Sequence, residues 1–168
     1  SKTAAALGDF FVANNAAGSV TSSVANLSVV SSLPVITIPG DPITAYQPNG
    51  GSSPAAESVD HCIDGVGQKY LNFGANGGAP YAGPTGFIVT PSAGSTVCEA
   101  IRFYTANDAA ERDPADYLLE GSNDGGATWA PIASGALALP AARNAGGATV
   151  LNPYTSANQE VHFANATG

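Results

Sequence analysis

Short apolar runs separated by turn-forming residues are the feature that most limits what this chain can fold into. Of its 168 residues, 20 are glycine and 12 are proline. Both residue types interrupt helices, and turn signals recur about every ten residues between the apolar runs. Strand-sized segments with this spacing are typical of a β-sandwich or a jelly roll. The sequence therefore predicts an all-β fold, with helix limited to the segment from Pro54 to Ile63.

The charges and the hydropathy exclude several classes of function. Lys and Arg number only five against 13 Asp and Glu, which gives a net charge of −8. Because the basic residues are spread singly, no basic patch could neutralise phosphates, and this argues against a nucleic-acid partner. No stretch approaches the roughly 18 consecutive apolar residues of a membrane span. The composition instead indicates a β-rich extracellular protein.

The order of the apolar runs predicts three parts. Residues 1–30 form a hairpin, in which strands 8–13 and 20–30 flank a turn rich in Asn and Gly. Residues 31–42 are a linker, because prolines bracket a short apolar run. Residues 43–168 form a string of short strands, predicted at 43–46, 70–73, 86–90, 97–105, 117–122, 128–132 and 160–163. A tight turn, Asn123–Gly126, joins two of them into a hairpin.

Residues 8–19, with the sequence GDFFVANNAAGS, are followed by a strand rich in Val and Ser. This stretch resembles the last two strands of bacterial immunoglobulin-like repeats, in which such a hairpin closes the sandwich. Phe10 stands where that family usually has Tyr. The resemblance implies that residues 1–30 are the C-terminal hairpin of an immunoglobulin-like domain.

A second group of motifs covers most of the chain. Ile63-Asp64-Gly65 precedes KYLNF at 69–73, TANDAAERDP at 105–114 and YLLEGSNDG at 117–125, which Trp129 follows. From about Pro39 onward the chain resembles discoidin-like modules of large secreted bacterial proteins (F5/8 type C-like, galactose-binding-like). The resemblance implies a jelly-roll β-sandwich that binds ligands, often sugars, through loops at one end. The family's module normally ends with two further strands, so it also implies a jelly roll that is incomplete at its C-terminal end.

Asp64 is the candidate metal ligand. Calcium prefers several hard oxygen ligands, and the glycine after Asp64 lets the loop curl so that carbonyls such as that of His61 converge. The discoidin-like resemblance implies a structural Ca²⁺ beside this loop. The residues alone favour an Asx-turn, in which the carboxylate accepts a hydrogen bond from the backbone two residues on.

Cys62 and Cys98 are the two cysteines of the chain. An even count in a chain with extracellular character predicts a disulfide between them. Two free, partly buried thiols are the alternative, because Cys98 has the opposite parity to the apolar residues of its predicted strand. A Cys62–His61 nucleophile is disfavoured, since adjacent residues diverge in extended chain and no nucleophile motif is present.

Asn107, Asp108, Glu111 and Arg112 form a dense polar cluster that could present amides, carboxylates and a guanidinium to sugar hydroxyls. The alternative is a solvated connection in which Arg112 pairs with Asp108 or Asp113 and contributes little to stability. A single Trp in a sandwich is more often a core residue than a sugar platform, so Trp129 is predicted to lie in the core.

The sequence predicts a non-catalytic, carbohydrate-binding or adhesion module of a larger secreted or surface protein. Its expected partner is a glycan or another surface ligand. The alternative function is a structural subunit of an extracellular fibre, sheath or surface layer. In that case open strand edges would pair with neighbouring subunits or domains, because an edge presents unpaired backbone donors and acceptors.

Overall fold

The computed structural model of the chain describes residues 12–15, 18–21, 34–48, 50–74 and 84–165. The chain divides into two compact units, Ser1–Pro34 and Val35–Gly168. In the described parts, short strands and 3₁₀ turns are the regular elements and no α-helix occurs. The prediction of a β-rich chain with very little helix is therefore confirmed.

The first unit contains an antiparallel hairpin. Strand β1 is Val12–Asn15 and strand β2 is Gly18–Thr21, and Asn15 lies opposite Gly18 at the closed end. A hairpin thus lies where the sequence predicts one, although the predicted strands extend beyond the described residues. Its relation to immunoglobulin-like repeats stays a prediction.

In its described residues, the second unit has six strands in three antiparallel pairs. The first pair is β3 with β4, the second is β5 with β8, and the third is β6 with β7. Their bounds are Ile43–Tyr46 for β3, Gly86–Val89 for β4, Ala100–Tyr104 for β5, Asp116–Gly121 for β6, Ala130–Ala136 for β7 and Asn158–His162 for β8. Because each sheet has two strands in the described part of the chain, the jelly-roll topology is not established.

The β6–β7 hairpin has the alternating burial that the sequence pattern of its first strand predicts. Along β6, Tyr117 and Leu119 are half-buried while Leu118 between them is exposed, as the two-residue period of a strand requires. A bulge between Leu119 and Glu120 shifts the register toward the turn. The ring of Tyr117 packs at a tilt against Phe103 of β5, with centroids 5.6 Å apart. This aromatic contact joins two of the three strand pairs.

Two predicted elements differ from the structure. The segment from Pro54 to Ile63 forms two 3₁₀ helices, Ala55–Glu57 and Val59–Cys62, because Ser58 between them is extended. The predicted strand at 70–73 has no continuous partner strand. Its amides instead make separate bonds: Leu71 N–H donates to Glu57 O and Phe73 N–H donates to Ser52 O.

The most buried side chains of the second unit are polar. In the described ranges no apolar side chain is fully buried, whereas Asp41 is 4% and Thr105 is 3% exposed. Asp41 accepts hydrogen bonds from the amides of Ile38 and Ser92, which lie far apart in sequence. The hydrogen bonds from Ser92 and Ile38 lower the pKa of Asp41. The carboxylate that connects these two loops therefore remains charged at neutral pH.

Candidate functional site

A polar cleft of about 250 Å³ lies where four segments of the second unit, distant in sequence, meet. One segment begins at the first 3₁₀ helix, the second leads away from the Asp64 loop, the third is the loop after β5, and the fourth is the glycine-containing connection before β8. The lining residues are Ala56, Glu57, Gly67, Gln68, Lys69, Asn107, Gly146 and Gly147. Both charge signs and two side-chain amides thus converge on one concave surface.

Gly67 forms the tightest part of the cleft wall. Its amide donates to Thr149 O at 2.8 Å, next to an isolated antiparallel bridge between Val66 and Val150. A Cβ atom built on Gly67 would lie 1.9 Å from the carbonyl oxygen of Ala145. The two backbones can therefore approach this closely only because residue 67 has no side chain.

Lys69 links the two carboxylates at the cleft. Its Nζ lies 2.7 Å from Asp108 Oδ2 and 3.2 Å from Glu57 Oε1. The hydrogen bond that Lys69 donates to Asp108, and after it the one that it donates to Glu57, raises the pKa of Lys69, and the bond from Lys69 lowers the pKa of Asp108. Lys69 and Asp108 thus stay charged at neutral pH. Because Asp108 is exposed, this arrangement positions the lysine more than it stabilises the fold.

Of the four predicted ligand-binding residues, Asn107 lines the cleft and the other three do not. Asn107 lines the cleft, with its amide against Gly146, and Asp108 reaches the cleft through Lys69. Glu111 and Arg112 belong to a 3₁₀ helix, Ala110–Arg112, and are not among the lining residues. Arg112 Nη2 pairs with Asp108 Oδ1 at 3.3 Å, which is one of the two solvated pairings expected for it.

Asp113 pairs with a different arginine. Arg143 donates from both Nη atoms to the two oxygens of Asp113, at 2.9 and 2.7 Å, and its Nη2 also donates to Pro140 O. This bidentate pair ties the loop that carries Asn107 to the segment that leads to Gly146. Two walls of the cleft are therefore fixed relative to each other by a contact outside it.

Ala109 lies in a strained conformation beside Asp108. Its φ of 47° and ψ of 59° are left-handed, and among the described residues it is the one non-glycine with a positive φ. Such a conformation costs a residue with a Cβ roughly 1–2 kcal/mol and is found preferentially at functional sites. This left-handed conformation turns the chain between Asp108 and the 3₁₀ helix, and Asp108 faces Lys69.

Replacing Ala109 by glycine is expected to raise the free energy of unfolding by about 0.5–1 kcal/mol, since glycine adopts this conformation without strain. Urea titration measures the change. Ala138→Gly is the matched control, because Ala138 is exposed and has no positive φ, and it should be destabilising or neutral. Equal destabilisation of both variants would contradict the assignment of strain to residue 109.

The Asp64 loop has the Asx-turn that the residues alone favour. Asp64 Oδ1 accepts the amide hydrogen of Val66 at 2.9 Å, and Oδ2 lies 2.9 Å from His61 Nδ1. Within the described ranges no three His, Cys, Asp or Glu side chains group as a metal site. With one carboxylate, already engaged at both oxygens, this donor set does not fit calcium's need for several free oxygens. The calcium site at Asp64 and His61 stays a prediction.

The predicted disulfide is not present in the structure. Cys62 and Cys98 are both free thiols, and the Cys98 thiol is directed to the carbonyl oxygen of Ala100 at 3.4 Å. Burial, together with the nearby carboxylates of Asp64 and Asp60, raises the pKa of Cys62 to about 12. A thiol that stays protonated at neutral pH is a poor nucleophile, in agreement with the disfavoured Cys62–His61 pairing.

Glu57, Gln68 and Lys69 are site residues that the sequence argument missed. Lys69 could have been singled out as one of only five basic residues, next to a motif used for the discoidin-like resemblance. No local signal connects it with Asp108, because 39 residues separate the two.

None of the helices described in the structure is long and apolar enough to cross a membrane.

Comparisons with known proteins are sparse. No family model matches the chain, and no solved structure matches it. A curated Arabidopsis thaliana protein, peptide-N(4)-(N-acetyl-beta-glucosaminyl)asparagine amidase, is 67% identical over 30 residues. That match covers 18% of this chain and only about 4% of the length of the Arabidopsis protein. It is too short to assign a family.

Proposed function

We propose that this chain is a non-catalytic carbohydrate-binding module of a larger secreted or surface protein, and that the polar cleft holds the sugar. The observation that carries the proposal is the convergence of Glu57, Gln68, Lys69 and Asn107 on one concave surface. A sugar hydroxyl both donates and accepts hydrogen bonds. The two amides can do the same, while the carboxylate accepts and the ammonium donates.

The size of the cleft supports a small ligand. Its volume of about 250 Å³ is near the lower limit of the roughly 300–1,000 Å³ of pockets that enclose drug-sized molecules. One terminal sugar of a glycan suits such a site better than a long chain. The discoidin-like resemblance adds support, since modules of that kind often bind sugars and belong to extracellular bacterial proteins.

Binding to a glycan array, followed by titration of the best glycan, tests the proposal. Asn107→Ala and Lys69→Ala should each weaken binding at least tenfold, because each removes a donor from the cleft. Tyr154→Ala is the control, since Tyr154 is highly exposed and is not a lining residue, and its affinity should match that of the unaltered chain. A folded chain that binds no glycan on the array would overturn the proposal.

A second function, as a structural subunit of an extracellular assembly, has its own observation. The strand pairs of the second unit leave edges unpaired within the described residues, and no apolar side chain there is fully buried. Strand addition from a neighbouring subunit would cover both features. Light scattering should then show a mass that grows with concentration. A monomer at millimolar concentration would exclude this function.

A further inference from the structure

Trp129 is the only tryptophan of the chain, and the structure places it outside the core. The sequence predicts a core position for Trp129, but its side chain is 42% exposed. It follows the turn that joins β6 to β7 and directly precedes β7. The ring is thus partly in solvent beside a hairpin turn in which polar and small residues predominate.

The indole is held in one orientation. Its Nε1–H donates to Gly126 O at 3.1 Å, and a Cβ atom built on Gly126 would lie 3.4 Å from ring atom Cζ2. Gly126 also has a φ of 88°, which favours glycine. One part of the ring therefore rests on backbone while the remainder is presented to solvent.

The loop beneath the indole is equally fixed. Asp124 Oδ1 accepts the amide hydrogen of Thr128 at 2.9 Å and the hydroxyl of Ser122 at 2.8 Å, and Oδ2 accepts the Thr128 hydroxyl at 2.6 Å. Ser122 Oγ in turn accepts the amide hydrogen of Gly126 at 2.8 Å. These bonds order the whole turn before any ligand arrives, which lowers the entropic cost of binding.

The exposed area indicates the size of a ligand. A tryptophan can bury up to about 250 Å². Because Trp129 is 42% exposed, its exposed area is on the order of 100 Å². A stable protein interface needs about 800 Å² per partner, and residues 123–128 around the ring are exposed polar or small residues. A single ring with an apolar face and a polar rim, such as a pyranose, matches this surface.

We propose that Trp129 is a second carbohydrate contact, at which the exposed indole face stacks on the C–H face of a pyranose ring. The ligand class rests on the proposed function, but the location does not. The loop that carries Asn107 enters β6 at its start, whereas Trp129 follows the end of β6. The six residues of β6 span about 20 Å between these ends. Trp129 is also not among the residues that line the cleft, so the proposed contact at the indole is separate from the one in the cleft.

Tryptophan fluorescence tests the proposal directly, because the chain has one indole. Cellotetraose, β-1,4-galactotetraose and chitotetraose are titrated to 10 mM as probes. At least one should shift the emission maximum, and the shift should persist in Lys69→Ala, which alters the cleft alone. No shift with all three probes would overturn the proposal. A shift that disappears in Lys69→Ala would also overturn it, because the cleft and not Trp129 would then bind the sugar.

Calorimetry with the active probe tests the indole by substitution. Trp129→Ala should weaken this binding at least tenfold, whereas Trp129→Phe, which keeps an aromatic face, should retain it within about threefold. Thermal unfolding identifies any variant that fails to fold. Trp129→Phe then remains informative by itself: a folded Phe variant with no binding would overturn stacking, as would equal affinity in a folded Ala variant. A folded Lys69→Ala chain that keeps full glycan binding on the array and also keeps the fluorescence shift would refute the cleft but not this site.

Discussion

Gly67→Ala is expected to lower the free energy of unfolding by about 3 kcal/mol, since overpacking against backbone cannot be relieved by a side-chain rotation. The new methyl group would lie 1.9 Å from Ala145 O. The segment must then separate from its partner, which breaks the bond from Gly67 N–H to Thr149 O and the one from Leu151 N–H to Gly65 O. Urea unfolding followed by circular dichroism measures the loss.

Gly86→Ala is the control for this substitution. Gly86 lies in a strand, has no positive φ, and has no atom within 4 Å of a Cβ built on it. Its replacement should change the stability by less than about 0.5 kcal/mol. Because Gly67 lines the cleft, Gly67→Ala should also lose glycan binding, whereas Gly86→Ala should keep it. Equal unfolding midpoints for the two variants would contradict the close approach of the backbones.

Local patterns in the sequence predicted the strands that depend on local physics. The β6–β7 hairpin follows from alternation in Tyr117–Gly121 and from a turn with two consecutive glycines, and both act within ten or so residues. The prediction of one or two helical turns at Pro54–Ile63 agrees with the two short 3₁₀ helices found there. Extended Ser58 separates them, and the pattern of apolar residues does not report such a break.

The candidate site was predicted in part, because it is assembled over long distances. Asn107 and Asp108 were chosen as members of a dense polar loop, and Asn107 lines the cleft. Glu57 and Lys69 come from other segments, which isolated contacts bring together: Leu71 N–H donates to Glu57 O, and a single bridge joins Val66 to Val150. An isolated bridge of one residue pair leaves no periodic signal in the sequence.

The predictions for Cys62, Cys98 and Trp129 had a different basis. Each rested on the usual behaviour of its residue type in a β-rich extracellular chain. In the structure both cysteines are free, and the Cys98 thiol contacts Ala100 O within its own segment. Trp129 is exposed because its indole bonds to the turn, which gives the ring a partner outside the core.

Asn144 holds together three parts of the second unit. Its Nδ2 donates to Thr105 O at 2.9 Å and to Ala157 O at 2.8 Å. Its Oδ1 accepts the amide hydrogen of Ala157 at 2.8 Å. Thr105 follows β5 directly and Ala157 precedes β8, so the amide fastens the end of this strand pair to the segment that leads to the cleft. Since no apolar side chain is fully buried in the described ranges, we expect such polar contacts to carry much of the specificity of the fold.

Asn144→Ala is therefore expected to lower the free energy of unfolding by about 4 kcal/mol, because it removes the partners of the Thr105 carbonyl and the Ala157 amide, at roughly 1–3 kcal/mol each, while Ala157 O keeps its bond from Thr105 N–H. Asn152→Ala is the matched control. Asn152 is exposed, and its side chain accepts one bond, from the amide of Tyr154, so its loss should cost less than about 1 kcal/mol. Urea titration of both variants measures the difference. A cost for Asn144→Ala no larger than for Asn152→Ala would show that the fold does not depend on this amide.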